Sequence, residues 1–160
     1  PIKVKGDTIM EQTVITTLSD ITLVNLQNCP VALNSIAKIF QKISDLGVNV
    51  DMISLAPSHG AYTTISFTID DEDLGKILKF TSALYDNHDI KTIVSSGNYK
   101  IAVHDERMKN TPGVAAKVLQ AAAEVNTDIR LISTSDVEIS MLVTAADFEQ
   151  TLESIEKQMG

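Results

Sequence analysis

TPGVAAKVLQAAAEVNTDIRLISTS, residues Thr111–Ser135, decides how the chain is organised. Thr111 is a helix-capping residue type, Pro112 suits a first helical position, and Gly113 lets backbone approach a ligand closely. Ala115, Val118, Leu119, Ala122 and Val125 then recur at the spacing of one buried helix face, and a β-rich run, Asp128–Ser135, follows. The same unit occurs earlier. Leu33–Ser54, LNSIAKIFQKISDLGVNVDMIS, aligns with Pro112–Ser133 without a gap, and Ile36, Ile39, Phe40, Ile43 and Leu46 fall on the five apolar positions just named. Its own β-rich run is Val48–Leu55.

The correspondence resumes beyond these strands, where Thr64–Leu74 matches Glu138–Phe148. Copy one has the longer connection, around Pro57, Ser58, His59 and Gly60; copy two has a tight one near Ser135 and Asp136. A second helix is predicted in each copy, Asp71–Asp86 and Ala145–Met159, with Leu74, Ile77 and Leu78 as one buried stripe and Phe148, Leu152 and Ile155 as the other. Acidic residues open both, at the positive end of the helix dipole. With Ile21–Gln27 in front and Ile90–Ser96 behind, copy one is β-α-β-β-α-β. That is the ferredoxin-like unit, a four-stranded antiparallel sheet with both helices on one face. Copy two starts with Asn98–His104 but stops one strand short. An unpaired sheet edge is a liability, so the spare β-pattern Gln12–Leu18 is predicted to complete it. The fold class is therefore α+β, with one unit over 20–97 and a second made from 10–19 and 98–160.

Composition excludes several function classes. A formal charge of -8 and a pI near 4.7 repel polyanions, and no stretch clusters Lys and Arg with aromatics, so neither nucleic acid nor an anionic membrane is an expected partner. No apolar run approaches the roughly 18 residues of a membrane span. A soluble, cytoplasmic protein is expected, and the lone Cys29 agrees with a reducing compartment. Catalytic motifs are lacking: there is no P-loop and no G-x-S-x-G. His59, His88 and His104 are scattered without the spacing of metal ligands, and Cys29 has no histidine near it in sequence to activate it. No catalytic and no metal residue is assigned. The chain begins at Pro1 within a short β-like run, which is the expectation for a fragment.

The runs PGVAAKV (Pro112–Val118), LISTSDVEIS (Leu131–Ser140), NVDMI (Asn49–Ile53) and M-E-x-x-V-I-T-x-L (Met10–Leu18) together resemble the paired ACT domains of the aspartate kinase regulatory region. The resemblance covers nearly the whole chain, and residues 1–9 are similar to the end of that family's catalytic region or a linker after it. It implies a region that binds an end-product amino acid, lysine or threonine, shifts an attached kinase domain between active and inhibited states, and dimerises through its ACT units. ATP and Mg²⁺ would belong only to a kinase domain outside this chain; no cofactor is expected within it.

Carried over by the same resemblance, effector contacts fall on Asn34, Ser35, Ile36 and Asp51 in copy one, and on Asn126, Asp128, Ile129, Ser133, Thr134, Ser135 and Ser140 in copy two. Carboxylates at Asp51 or Asp128 suit a ligand ammonium, and a helix N-terminus suits its carboxylate. The chain departs from the family pattern at Leu33-Asn34-Ser35, where Pro-Gly-Val is usual, and at Leu55-Ala56, where amide donors give way to apolar groups. HDER, His104–Arg107, is a further departure. Alternatives are a free-standing ACT-repeat protein, sensing an amino acid or serving only in assembly, and a small ferredoxin-like acyl-phosphate hydrolase. The last needs an anion-binding arginine in a Gly-rich loop, which neither Arg107 nor Arg130 provides.

Overall fold

The computed structural model describes the backbone of residues 4–10 and 13–160 and the side chains of residues 13–84 and 89–160. Expectations placed on Pro1–Lys3, Glu11 and Gln12 lie outside the described residues. The chain forms two compact units, Ile21–Ser96 and Pro1–Asp20 with Gly97–Gly160.

The contiguous unit begins within β2 (Thr13–Pro30), which β1 (Val4–Met10) precedes in the chain, continues through α1 (Leu33–Asp45), β3 (Ile53–Leu55), β4 (Tyr62–Asp70) and α2 (Leu74–His88), and ends within β5 (Lys91–Asp105). Its strand order is β3-β4-β2-β5. β4 is central because its sequence alternates: Thr63, Ile65, Phe67 and Ile69 are all buried. Ile36, Ile39 and Ile43 of α1 and Ile77 of α2 cover that face, and Phe40 meets Phe67 edge to face at 5.6 Å. Both helices thus feed one core.

The second unit continues from β5 through α3 (Val114–Glu124), β6 (Ile129–Thr134), β7 (Glu138–Val143) and α4 (Phe148–Met159). Its strand order is β6-β7-β5-β2, the same arrangement with β2 in the last place. The N-terminal strand therefore completes copy two: Ile15 is 0% exposed and shares a core with Ile101, Val103, Val118, Met141 and Ile155. Tyr99 stacks on Phe148 at 4.2 Å, and Ser154 Oγ donates to the Ala121 carbonyl at 2.7 Å, joining α4 to α3.

Two strands that the sequence splits are continuous. Asp20 (φ 59) lies inside β2 and Gly97 (φ 72) inside β5, and each is the residue at which one unit gives way to the other. A left-handed residue in a strand acts as a bulge and resets the alternation of side chains. The parity shows it: odd-numbered Ile15 enters one core, even-numbered Val24 and Leu26 the other. In β5, Val94 packs on the first core, whereas Ile101 and Val103 belong to the second.

Other expectations need correction. Leu46, Leu78 and Leu119, placed in buried stripes by periodicity, are 41%, 45% and 41% exposed. Leu46 caps the end of α1 and Leu78 sits beside the true stripe of α2, Ile77, Phe80 and Leu84. Strand β3 is shorter than Val48–Leu55 because the Thr68 hydroxyl accepts from the Met52 N–H at 2.9 Å and interrupts regular pairing. The strand Val4–Met10, which includes residues 4–9 of the expected 1–9 segment, runs antiparallel to β2.

Candidate functional site

The two helices that follow the first strand of each unit begin alike. α1 has Ala32 as N-cap and α3 has Gly113; neither has a side-chain cap bond, and neither has an acidic residue in its first turn. The helices α2 and α4 lack a side-chain cap bond as well, but Asp71, Glu72 and Asp73 immediately precede α2, and Glu149 lies in the first turn of α4. Uncapped N–H groups at the positive end of a helix dipole favour a carboxylate. Thr111 and Pro112 do not play the parts expected of them. Gly113 takes φ 99, a left-handed conformation incompatible with a helical turn, so α3 starts at Val114 and Lys117 N–H makes its bond to the Gly113 carbonyl at 3.0 Å.

In the first unit the structure separates the expected contact residues. Asn34 is exposed at the start of α1, Ser35 faces a cavity of about 320 Å³ that Lys38 and Leu84 also line, and Ile36 is 9% exposed within the core. Asp51 lies elsewhere, its N–H bonded to the Thr68 carbonyl at 3.1 Å, and Thr68 pairs with Leu23. From Leu23 to Pro30, where β2 leads toward α1, the strand rises roughly 20 Å. Within one copy the two places are therefore well separated along β2.

In the second unit the expected residues also divide. Asn126 (φ 54), Asp128 and Ile129 form the corner between α3 and β6, where Asp128 N–H donates to Asp147 Oδ2 at 2.8 Å and its carboxylate pairs with Arg130 at 3.1 Å. Ile129 packs on the core. At the other end of β6, on the order of 20 Å away, Ser133 pairs with Ser140, and Thr134 is exposed beside them. Ser135 Oγ accepts from the N–H groups of Val137 and Glu138 at 3.2 and 3.1 Å, closing the turn. Ser140 is 5% exposed and its Oγ donates to Glu138 Oε1 at 3.2 Å.

A polar cluster that sequence reasoning missed lies in the HDER segment. Asp105 is 0% exposed; its carboxylate accepts from Thr13 Oγ1 at 2.7 Å, from Arg107 Nη2 at 2.6 Å and from the Arg107 backbone N–H at 2.9 Å. Hydrogen bonds from the Arg107 guanidinium, against the cost of burial, hold this carboxyl well below the usual carboxylate range. The cluster secures the chain just ahead of the turn that ends on Gly113. Cys29 is buried, and burial pushes its thiol up to about 11. Among the described residues no group of three or more His, Cys, Asp or Glu is placed to hold a metal ion, and no helix is long and apolar enough to cross a membrane.

Two family models described as ACT domain match this chain, over residues 35–79 and 101–159. The chain belongs to the ACT-domain family. Its two ACT domains are of the kind found in the regulatory region of aspartate kinase. An aspartokinase of Geobacillus stearothermophilus is 30% identical over 128 residues, covering 80% of this chain and 31% of the relative. The chain thus spans about a third of the length of that relative. The regulatory subunit of aspartate kinase from Thermus flavus superposes with a TM-score of 0.82 at 25% identity, over 91% of this chain and 97% of that one. Aspartokinase III of E. coli, in complex with lysine and aspartate, shares the ACT fold with a TM-score of 0.68 at 19% identity, over 97% of this chain and 34% of that one.

Proposed function

We propose that these ACT domains are the amino-acid-sensing part of an aspartate kinase, binding lysine or threonine and transmitting feedback control to a kinase domain. The observation that carries this reading is the matched pair of uncapped, acid-free helix starts, α1 and α3, one in each ACT domain. Each offers N–H groups to the carboxylate that every free amino acid brings. The lysine bound by the E. coli relative supports the choice of effector. In the first ACT domain Asn34 and Ser35 at the start of α1, and Asp51, are proposed contact residues; in the second, Asn126 and Asp128 at the α3–β6 corner and the Ser133, Thr134, Ser135 and Ser140 group are proposed as further contacts. Pairing of two copies through their ACT domains completes the proposal. An effector controls a distant domain only through its difference in affinity between two states.

A second reading, an ACT pair that serves assembly without sensing, is favoured by Leu55 and Ala56 and by the engagement of Asp128 with Arg130. Calorimetric titration with lysine and threonine, with methionine as comparison, separates the two. Sensing predicts saturable heat and a stabilisation of about 2.7 kcal/mol at a hundredfold excess over Kd. Absence of heat together with an unchanged melting temperature for every amino acid would favour the assembly reading. Sedimentation with and without effector measures the pairing of copies.

A further inference from the structure

Ile21–Ser96 contains Lys38, Lys42, Lys76, Lys79 and Lys91 and no arginine, and its acidic residues outnumber these five. All but Lys91 line the two cavities beside α1 and α2. The larger, about 530 Å³, is lined by the apolar Leu46 and Phe80 together with Lys42, Lys76 and Lys79. Asp45 is the one acid in this lining, and its Oδ1 accepts from Gln41 at 2.9 Å. Lys76 pairs with Asp73 at 3.3 Å; Lys42 and Lys79 have no ion-pair partner among the described residues. The second cavity adjoins through Lys42 and adds Lys38 with the apolar Ile39, Leu84 and Ile90.

We propose that this groove between α1 and α2 binds an amphipathic organic anion, a ligand with an apolar body and a carboxylate or phosphate head. Lys42 and Lys79, both in the lining and neither in an ion pair among the described residues, leave positive charge there that an anionic head offsets. A lysine acts as a movable point charge, suited to either head group. The cavity volume lies in the range of small-molecule sites, and an apolar surface with few polar groups is their usual chemistry. The adjoining cavity extends the apolar path for a longer body. Free lysine, the effector proposed above, is disfavoured here because its side chain would add a further ammonium.

Anilinonaphthalene sulfonate, an apolar fluorophore with one anionic head, is the probe. Titrated into the whole chain at low salt, it should show saturable fluorescence that decanoate displaces and decylammonium does not, with weaker binding as salt rises. The double variant Lys42→Ala/Lys79→Ala should lose at least about tenfold in affinity, as should Leu46→Glu, which keeps every lysine and places an acid on the apolar surface; Lys91→Ala should bind as the parent does. Circular dichroism and melting confirm that each variant is folded. Absence of saturable binding, or equal affinity in the double variant, overturns the proposal. Displacement by an acidic amphipathic peptide but not by decanoate also overturns it, and would assign the groove to a protein partner instead.

Discussion

Thr13 donates its hydroxyl to Asp105 Oδ2 at 2.7 Å, joining the first residue of β2 to the last residue of β5. Arg107 Nη2 reaches the same Thr13 oxygen at 3.2 Å, so three side chains from two strand ends close one buried cluster. Removing Asp105 therefore takes the acceptor from the Thr13 hydroxyl, the Arg107 guanidinium and the Arg107 backbone N–H at once. Because Arg107 is 46% exposed and can return to water, the expected cost of Asp105→Ala is about 3 kcal/mol, at the lower end for a broken buried pair. Thr13→Val should cost about 1 kcal/mol. Urea denaturation of both single variants and the double variant measures this. Additive losses would show that the two residues do not act together.

Acid should unfold the protein partly through the same carboxylate. The folded-state value of Asp105 lies below its unfolded value, so the stability it contributes is complete above the ordinary aspartate range near ~3.9 and is lost as pH falls through that range and below it. Asp70 has the opposite sign. Burial raises it, and its contribution favours the folded state at low pH and is lost as pH rises through its folded value. The stability gap between the parent and Asp105→Asn should accordingly be wide at pH 7 and smaller at pH 3, where only the first part of the loss has occurred, as read from urea midpoints. A gap of constant size across that interval would contradict the assignment.

The two left-handed strand residues make a paired prediction. Gly97 has φ 72, and a Cβ at this position would meet only open space, so Gly97→Ala should cost about 1 kcal/mol from backbone conformation alone. Asp20 has φ 59, where glycine is the better residue, so Asp20→Gly should be neutral or slightly stabilising despite the loss of the 3.0 Å bond from Ser19 Oγ. Thermal melting of both variants gives the signs. Stabilisation by Gly97→Ala would show that the residue does not hold this conformation in solution.

Cys29 should be inert in the folded protein. It is 0% exposed and its thiol is pushed up to about 11, which leaves roughly 0.1% thiolate at pH 8. An aromatic disulfide reagent should label it at once in guanidinium and only over the unfolding time without it. Immediate stoichiometric labelling of the native chain would contradict the burial.

Much of the fold was legible because the repeat was written in apolar spacing: Ile36, Ile39 and Ile43, and Val118 and Ala122, all entered the cores. Periodicity failed at Leu46, Leu78 and Leu119, since it gives the direction of a side chain around a helix and not where the neighbouring element ends. The continuity of β2 and β5 was hidden because Asp20 and Gly97 are turn-forming residue types, and a bulge uses the same conformation as a turn. The candidate site was the least legible part. Resemblance placed Ile36 and Ile129 among ligand contacts, but the side chain of Ile36 is in the core of its unit and that of Ile129 packs on the core of the other. The Thr13, Asp105 and Arg107 cluster carried no local signal, its partners lying 92 residues apart.

That separation also sets a schedule for synthesis on the ribosome. Ile21–Ser96 holds its own core within one continuous stretch and can fold as soon as it emerges, whereas Thr13 must wait for Asp105 to be made. At about 5–20 residues per second the delay is roughly 5–18 s, during which Ile15 stays without most of its eventual apolar neighbours. Thr13 and Ile15, made before the rest of the two ACT domains, are thus among the last of their residues to be secured.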